Sequence, residues 1–206
     1  MTRRLILARH GQTDANRRGA LDSLPPGGPL TEDGQRQARE LAAELSDEPI
    51  VAIYASRATR AQQTAAPLAQ RHGLIVEVVE GVQEVFVGDL EGHTDAEAIR
   101  RFHGVFQAWS TGELDTRMPG GESAAEVVER FSATLAKLTD RHPGGTVVVV
   151  SHGAAIRLVT PFLAGEVPLA RASHTAMPNT GRVVLADEPA APTGWRCVEW
   201  TGITLS

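Results

Sequence analysis

Short apolar runs alternate along this chain with longer stretches in which apolar residues recur every three or four positions. The runs at 4–8, 50–55, 74–79 and 146–150 predict strands, and the VVVV of the last, after the turn residues PGG, reads as a strand buried on both faces. Helical periodicity predicts a helix from Thr31 to Asp47, with Asp33 in its first turn. A second is predicted over 57–72, ended by Gly73, and a third over 95–109. A fourth runs from Glu122 or Ser123 to about Arg141, ahead of Pro143, and a fifth from His152 to near Gly165. Strands that alternate with helices predict an α/β domain whose mainly parallel sheet is covered on both faces. The tail differs: 182–186 and 195–203, joined by DEPAAPTG, predict a hairpin or adjacent strands at an edge.

Composition narrows this picture without changing it. A chain of 206 residues, 42% hydrophobic and 22% charged, is long enough for one domain with a sizeable core. LPPGGPL at 24–30 is a loop, too short for an interdomain linker. The apolar run in MTRRLILARHGQ is only LILA, which predicts a strand rather than a secretion signal and a cytoplasmic protein. No stretch approaches the ~20 apolar residues of a membrane span. The single Cys197 cannot form an internal disulfide, and WRCVEW reads as a half-buried strand. With a net charge of −5 there is no global basic footprint for nucleic acid. A positive field for an anionic ligand must therefore come from a few arginines gathered in one place.

Four segments carry candidate chemistry. Arg9-His10-Gly11 stands at the carboxyl end of the first strand, where open α/β sheets bind ligands, and Thr13 and Asn16 follow in the same loop. Alone, this is equally a turn with a surface histidine. The VVVV strand, however, runs into Ser151-His152-Gly153, so two strands end in histidine followed by glycine. Neighbouring parallel strands would bring His10 and His152 to one rim. The third segment is Ser56-Arg57-Ala58-Thr59-Arg60, where another strand gives way to a helix. Arg57 and Arg60, three apart, would share a face near an N-terminus that already favours anions. Taken alone it is as well read as a solvated basic turn. The fourth is Glu84, in a loop whose glycines, Gly88 and Gly92, suit a tight turn holding a carboxyl group over a pocket. His72 and His142 sit at helix C-termini, and His93 and His103 fall nearer the pocket.

In this order and spacing, LILARHGQTDAN at 5–16, PLTEDGQRQA at 29–38, YASRATRAQQTA at 54–65, QEVFVGDLEG at 83–92, PGGES at 119–123 and VVVVSHG at 147–153 resemble the histidine phosphatase superfamily, the phosphoglycerate mutase-like family. The resemblance implies a three-layer α/β/α sandwich with a mostly parallel sheet and an antiparallel edge strand, and a lid insertion over 93–120. It makes His10 the nucleophile and gives Arg9, Arg60 and His152 the rest of a phosphate pocket. Gly11, Thr13, Asn16 and Gly153 would add contacts, and Glu84 would be the proton donor. Arg57 stands where the family commonly has proline, and is either a second phosphate contact or a surface residue. The implied reaction passes through a phosphohistidine, with cationic side chains offsetting the phosphoryl charge so that no metal or cofactor is called for. The expected partner is a small phosphorylated substrate, with neither nucleic acid nor membrane, on a monomer or homodimer.

Mutases of this family carry a tyrosine three residues after the glutamate and a paired arginine further on. Here Val87 occupies the first position, and Arg100-Arg101 lies too early to align. The expectation is therefore a phosphatase, with mutase-type transfer as the alternative. A non-catalytic phospholigand-binding module would lack the nucleophile, an arginine or the acid, and none is missing.

Overall fold

The computed structural model describes residues 2–201. Its sheet has six strands, β1 (Arg3–Arg9), β2 (Ile50–Ser56), β3 (Val76–Val79), β4 (Gly145–Ser151), β5 (Arg182–Asp187) and β6 (Trp195–Trp200), in the order β3-β2-β4-β1-β5-β6. The first four positions in that order are parallel, and β5 and β6 run antiparallel to their neighbours. The parallel α/β sheet with an antiparallel edge is thus present. Sequence expectation and structure part at three ends. Leu74 and Ile75 do not join β3, because the preceding helix ends in left-handed Gly73 and the Leu74 N–H is spent on Ala69 O. β6 stops at Trp200, and residues 202 and 203 of the expected strand lie outside those described. The second helix begins at Thr59 rather than at Arg57.

Alternation within the strands builds the layers. In β1, Leu5 and Leu7 face one side while Ile6 and Ala8 face the other, and all four are fully buried. In β4, Val147 and Val149 join the first set, Val148 and Val150 the second. The second face is covered by α2 (Glu32–Glu44) and α3 (Thr59–His72), through Leu41, Ala61, Ala65 and Leu68. The first is covered by α4 (Ala96–Ser110), α5 (Ala124–Asp140) and α6 (Gly153–Leu163), through Trp109, Phe131, Leu135, Ile156 and Val159. At about 1.5–3 kcal/mol for each buried aliphatic or aromatic side chain, this two-faced burial dominates the fold's stability. An aspartate at Val148 would break it from the centre.

Helix starts are marked by side chains. Thr31 caps α2 through Gly34 N at 3.0 Å, and Ser123 with Glu126 forms a capping box on α5. Thr13 with Asn16 does the same for α1 (Asp14–Arg18), which together with α7 (Leu169–His174) was not foreseen from the apolar pattern. Among the described residues no helix is long and apolar enough to cross a membrane.

Candidate active site

Register brings the ends of three strands together. Arg9 pairs with Ser151, and Ala8 and Ala55 both pair with Val150, so β1, β2 and β4 finish level at one rim. Ser56 ends β2, and His10 and His152 stand just beyond the ends of β1 and β4. The His10 and His152 rings lie 5.2 Å apart at 62°, both almost fully buried. The two strand-end histidines therefore do meet.

Hydrogen bonds fix which ring nitrogen carries the proton. Gly11 O can only accept, so His10 Nδ1–H donates to it over 2.7 Å and leaves Nε2 with its lone pair. That lone pair accepts from Arg60 Nε at 3.2 Å. At His152 the arrangement reverses: Nδ1 accepts from Arg60 Nη2 at 3.2 Å, so Nε2–H donates to Ser56 Oγ at 2.9 Å. Burial, then the nearby Arg60 and Arg9, hold His10 well below the usual histidine pKa. His152 is lowered in the same way, by burial first and then by Arg60 and His10.

Arg60, only 1% exposed, is the hub. Besides both histidines it reaches Asp22, through Nη1 to Oδ2 at 3.3 Å and Nη2 to the backbone O at 2.8 Å. Thr64 Oγ, one turn on, donates to Arg60 O and accepts from Gly11 N, tying α3 to the His10 loop. A Cβ on Gly11 would stand 2.6 Å from Gly34 O, so only glycine lets this loop lie against α2. Arg9 donates from Nη1 to Met177 O at 2.5 Å, while its buried Nε has no partner.

Glu84 enters from the loop after β3. Its carboxylate accepts Ala154 N at 3.2 Å and Ala155 N at 2.8 Å, at the first turn of α6. Those N–H groups are free because the N-cap, His152, offers no side-chain cap. The loop is clamped from behind. Arg130 donates to the carbonyls of Gly81, Gln83 and Glu84, and pairs through two nitrogens with Glu122, which also accepts Phe86 N.

These groups surround a cavity of about 260 Å³, lined by Arg9, His10, Asn16, Arg60, Glu84 and Gly153 among others. Asn16 Oδ1 accepts from Thr13 N and Asn179 Nδ2, which turns its own amide N–H donors free of those partners. Thr13 is buried as the α1 cap and His152 lies behind Arg60, and neither lines the cavity. Arg57 requires a correction. It precedes α3 instead of sharing a face with Arg60, and its exposed guanidinium pairs with Glu80 at 2.8 Å, away from the cavity. Of the other histidines, His142 meets Tyr54 and His93 meets Asp95, both away from the cavity wall. Cys197 is buried, its thiol pushed up to about 12 by desolvation.

Sequence reasoning missed four participants. Asp22 holds Arg60, and Ser56 and Asn179 orient the two histidine segments. Arg157 reaches the cavity wall from α6. It alone had a visible signal, one helical turn after Gly153 on the same face. Among the described residues no three His, Cys, Asp or Glu side chains gather as a metal site would require.

Fold and cavity together define an α/β protein with a cavity lined by arginines and a histidine at the carboxyl ends of its strands. The chain belongs to the histidine phosphatase superfamily (branch 1), whose model matches residues 5–201. It is 33% identical over 162 residues to phosphoserine phosphatase 1 of Hydrogenobacter thermophilus, covering 79% of this chain and 76% of that protein. It is 32% identical over 212 residues to glucosyl-3-phosphoglycerate phosphatase of Mycobacterium tuberculosis, covering 96% and 92%. The solved structure of the mycobacterial glucosyl-3-phosphoglycerate phosphatase complexed with VO3 superimposes with a TM-score of 0.82 at 31% identity, covering 96% of this chain and 98% of that one.

Proposed function

We propose that the protein is a phosphomonoesterase that hydrolyses a small phosphorylated metabolite through a phosphohistidine on His10. One observation carries this reading: His10, which lines the cavity with Arg60 and Arg9, holds an unprotonated lone pair on Nε2. The relatives named for phosphatase activity on phosphoserine and on glucosyl-3-phosphoglycerate agree with it.

In the first half-reaction Arg9, Arg60 and the Asn16 amide take the phosphoryl oxygens, and the Arg60 bond to His10 exchanges for one to phosphate. Nε2 attacks phosphorus in line, the P–O bond to the leaving group breaks, and Glu84 in its protonated form gives that oxygen its proton. In the second, Glu84 takes a proton from water, whose oxygen attacks phosphorus as the P–N bond breaks. Phosphate leaves and His10 is restored. His152 supports Arg60 from behind. The segment 93–120, which supplies Phe102 to the wall, serves as the lid.

Val87 favours hydrolysis over mutase-type transfer. It lines the cavity with an apolar side chain where the mutases place a tyrosine hydroxyl, so one hold on a hydroxy-acid intermediate is missing. The test is phosphate release from p-nitrophenyl phosphate by wild type and His10→Ala, beside 3-phosphoglycerate with a bisphosphoglycerate primer. Hydrolysis lost in His10→Ala is expected. Primer-dependent isomerisation without phosphate release would overturn the reading.

A further inference from the structure

Arg60 is covered by a loop that has almost no apolar hold on the rest of the protein. Asp22 opens this loop with its two bonds to Arg60, and a Cβ on left-handed Gly27 would collide with Arg60 Nη1. The stretch 22–27 therefore lies directly on the guanidinium. Of residues 22–29 only Ser23 is buried, and Leu24 is 47% exposed, so hydrophobic burial does not keep the cover in place.

Polar anchors do so instead. The far end is pinned by Thr59 N, which donates to Pro26 O at 2.8 Å. The near end is gripped by Glu91, just after the short 3-10 turn Gly88–Leu90. Its half-buried carboxylate accepts Ser23 N at 2.8 Å, Leu24 N at 3.3 Å and the Ser23 hydroxyl. That hydroxyl accepts Val87 N at 3.3 Å in turn. Beside it, Leu21 N donates to His93 O and Gly92 N to Leu21 O. One carboxylate thus ties the Arg60 cover to the segment that brings Glu84, Val85 and Val87 to the cavity.

Bonds to a charged acceptor are the strong ones, and here three donors share a single carboxylate. What they hold in place matters because Arg60 acts through its field and its direction. A guanidinium kept from water meets a phosphoryl group in a lower dielectric than a hydrated one does. The Asp22 carbonyl also helps to set the guanidinium plane, which offers Nε to His10 and Nη2 to His152. Ser23, the residue that Glu91 grips, is the chain neighbour of Asp22, so slack at Ser23 passes straight to Arg60.

We infer that Glu91 is a positioning residue for the reaction: it latches the 22–27 loop over Arg60 and keeps that guanidinium shielded and aimed at His10. Glu91 does not line the cavity and acts through Ser23 and Asp22. This deepens the phosphatase reading and rests on it for the kinetic readout, whereas phosphate binding reads the latch independently.

The experiment measures kcat/KM for p-nitrophenyl phosphate across pH, and calorimetric binding of inorganic phosphate, in wild type, Glu91→Ala, Glu91→Gln and Ser23→Ala. Glu91→Ala should lose about 10- to 100-fold in kcat/KM, the scale on which remote misplacement of a catalytic group is felt. Glu91→Gln, whose Oε1 still accepts the two backbone N–H groups, should keep most of the activity. The acid limb in Glu91→Ala should move to higher pH. That limb follows His10, which faces Arg60, Arg9 and His152 and shares the cavity with Glu84 and Asp22, and a hydrated Arg60 weighs less on its ring. Phosphate should bind more weakly, the reverse of the change expected when Asp22→Asn removes a competing charge but leaves the cover closed. If Glu91→Ala does not fold, Ser23→Ala, which deletes only the hydroxyl between Glu91 and Val87, should show the same changes to a smaller degree. Unchanged kinetics and phosphate affinity in both variants, or tighter phosphate binding in Glu91→Ala, would overturn the assignment. Weaker phosphate binding in Glu91→Ala of a protein whose wild type hydrolyses nothing would sink the phosphatase and leave the latch standing.

Discussion

Arg60 Nε donates to Nε2 of His10 across 3.2 Å, so the candidate nucleophile's lone pair already faces a cation before any substrate arrives. The same guanidinium meets Nδ1 of His152. Burial, with this one arginine beside both rings, keeps the two histidines neutral, and this has a consequence for stability.

Both histidines titrate well below their usual range in the folded state, through burial first and Arg60 next. In the unfolded chain they take up protons near pH 6.5. Below that pH the unfolded state binds protons that the native state does not, so folding stability falls as pH drops from about 6.5 towards the depressed native values. Each histidine contributes a slope of about 1.4 kcal/mol per pH unit in that window. Urea unfolding of wild type between pH 7.5 and 5.5 should show the decline, and His152→Gln should show a visibly shallower one. Equal slopes in the two proteins would mean that His152 is not held neutral.

Glu84 is held at the cavity by the Arg130–Glu122 clamp and the first turn of α6, and the proposed mechanism gives it the proton transfer. Glu84→Gln retains a carbonyl acceptor for Ala155 N but has no proton to give. Single-turnover cleavage of an alkyl phosphate should slow by about 10²–10⁴-fold, while the first-turnover release of p-nitrophenolate, a good leaving group, falls by less than about 10-fold. Equal slowing of both would show that Glu84 holds structure and moves no proton.

Asp22 places a carboxylate on Arg60 Nη1, where a phosphoryl oxygen would have to compete. Asp22→Asn keeps the backbone carbonyl bond and removes the charge. With about 1 kcal/mol for a partly solvated like-charge pair, KM for the substrate and the inhibition constant of inorganic phosphate should both fall by about 5-fold. Weaker phosphate binding in the variant would make Asp22 a support for Arg60 instead of its competitor.

The sheet and the histidine pair were legible because their signals are local and repeated. VVVV can only be a central strand, and two strands that end in His-Gly meet once β1 and β4 pair. Arg57 was misplaced because the helix boundary carries no polar mark: the N-cap is Ala58, without a side-chain bond, so nothing in the sequence separates Arg57 from the first turn. α1 escaped because five residues, DANRR, bury none of their side chains and leave no apolar period to read. Asp22 and Asn179 come from irregular loops more than 35 residues from Arg60 and more than 160 from His10, respectively, distances that only the folded backbone closes.

In the proposed reaction Nε2 of His10 takes the phosphoryl group. Glu84→Gln protein, mixed with p-nitrophenyl phosphate and quenched in base within the first turnovers, tests it most directly, since the missing base slows breakdown of the intermediate. A burst of p-nitrophenolate approaching one per chain is expected, with acid-labile phosphate mapping to the peptide that contains His10. A burst with phosphate on any other residue, or steady hydrolysis with none on the chain, would contradict it.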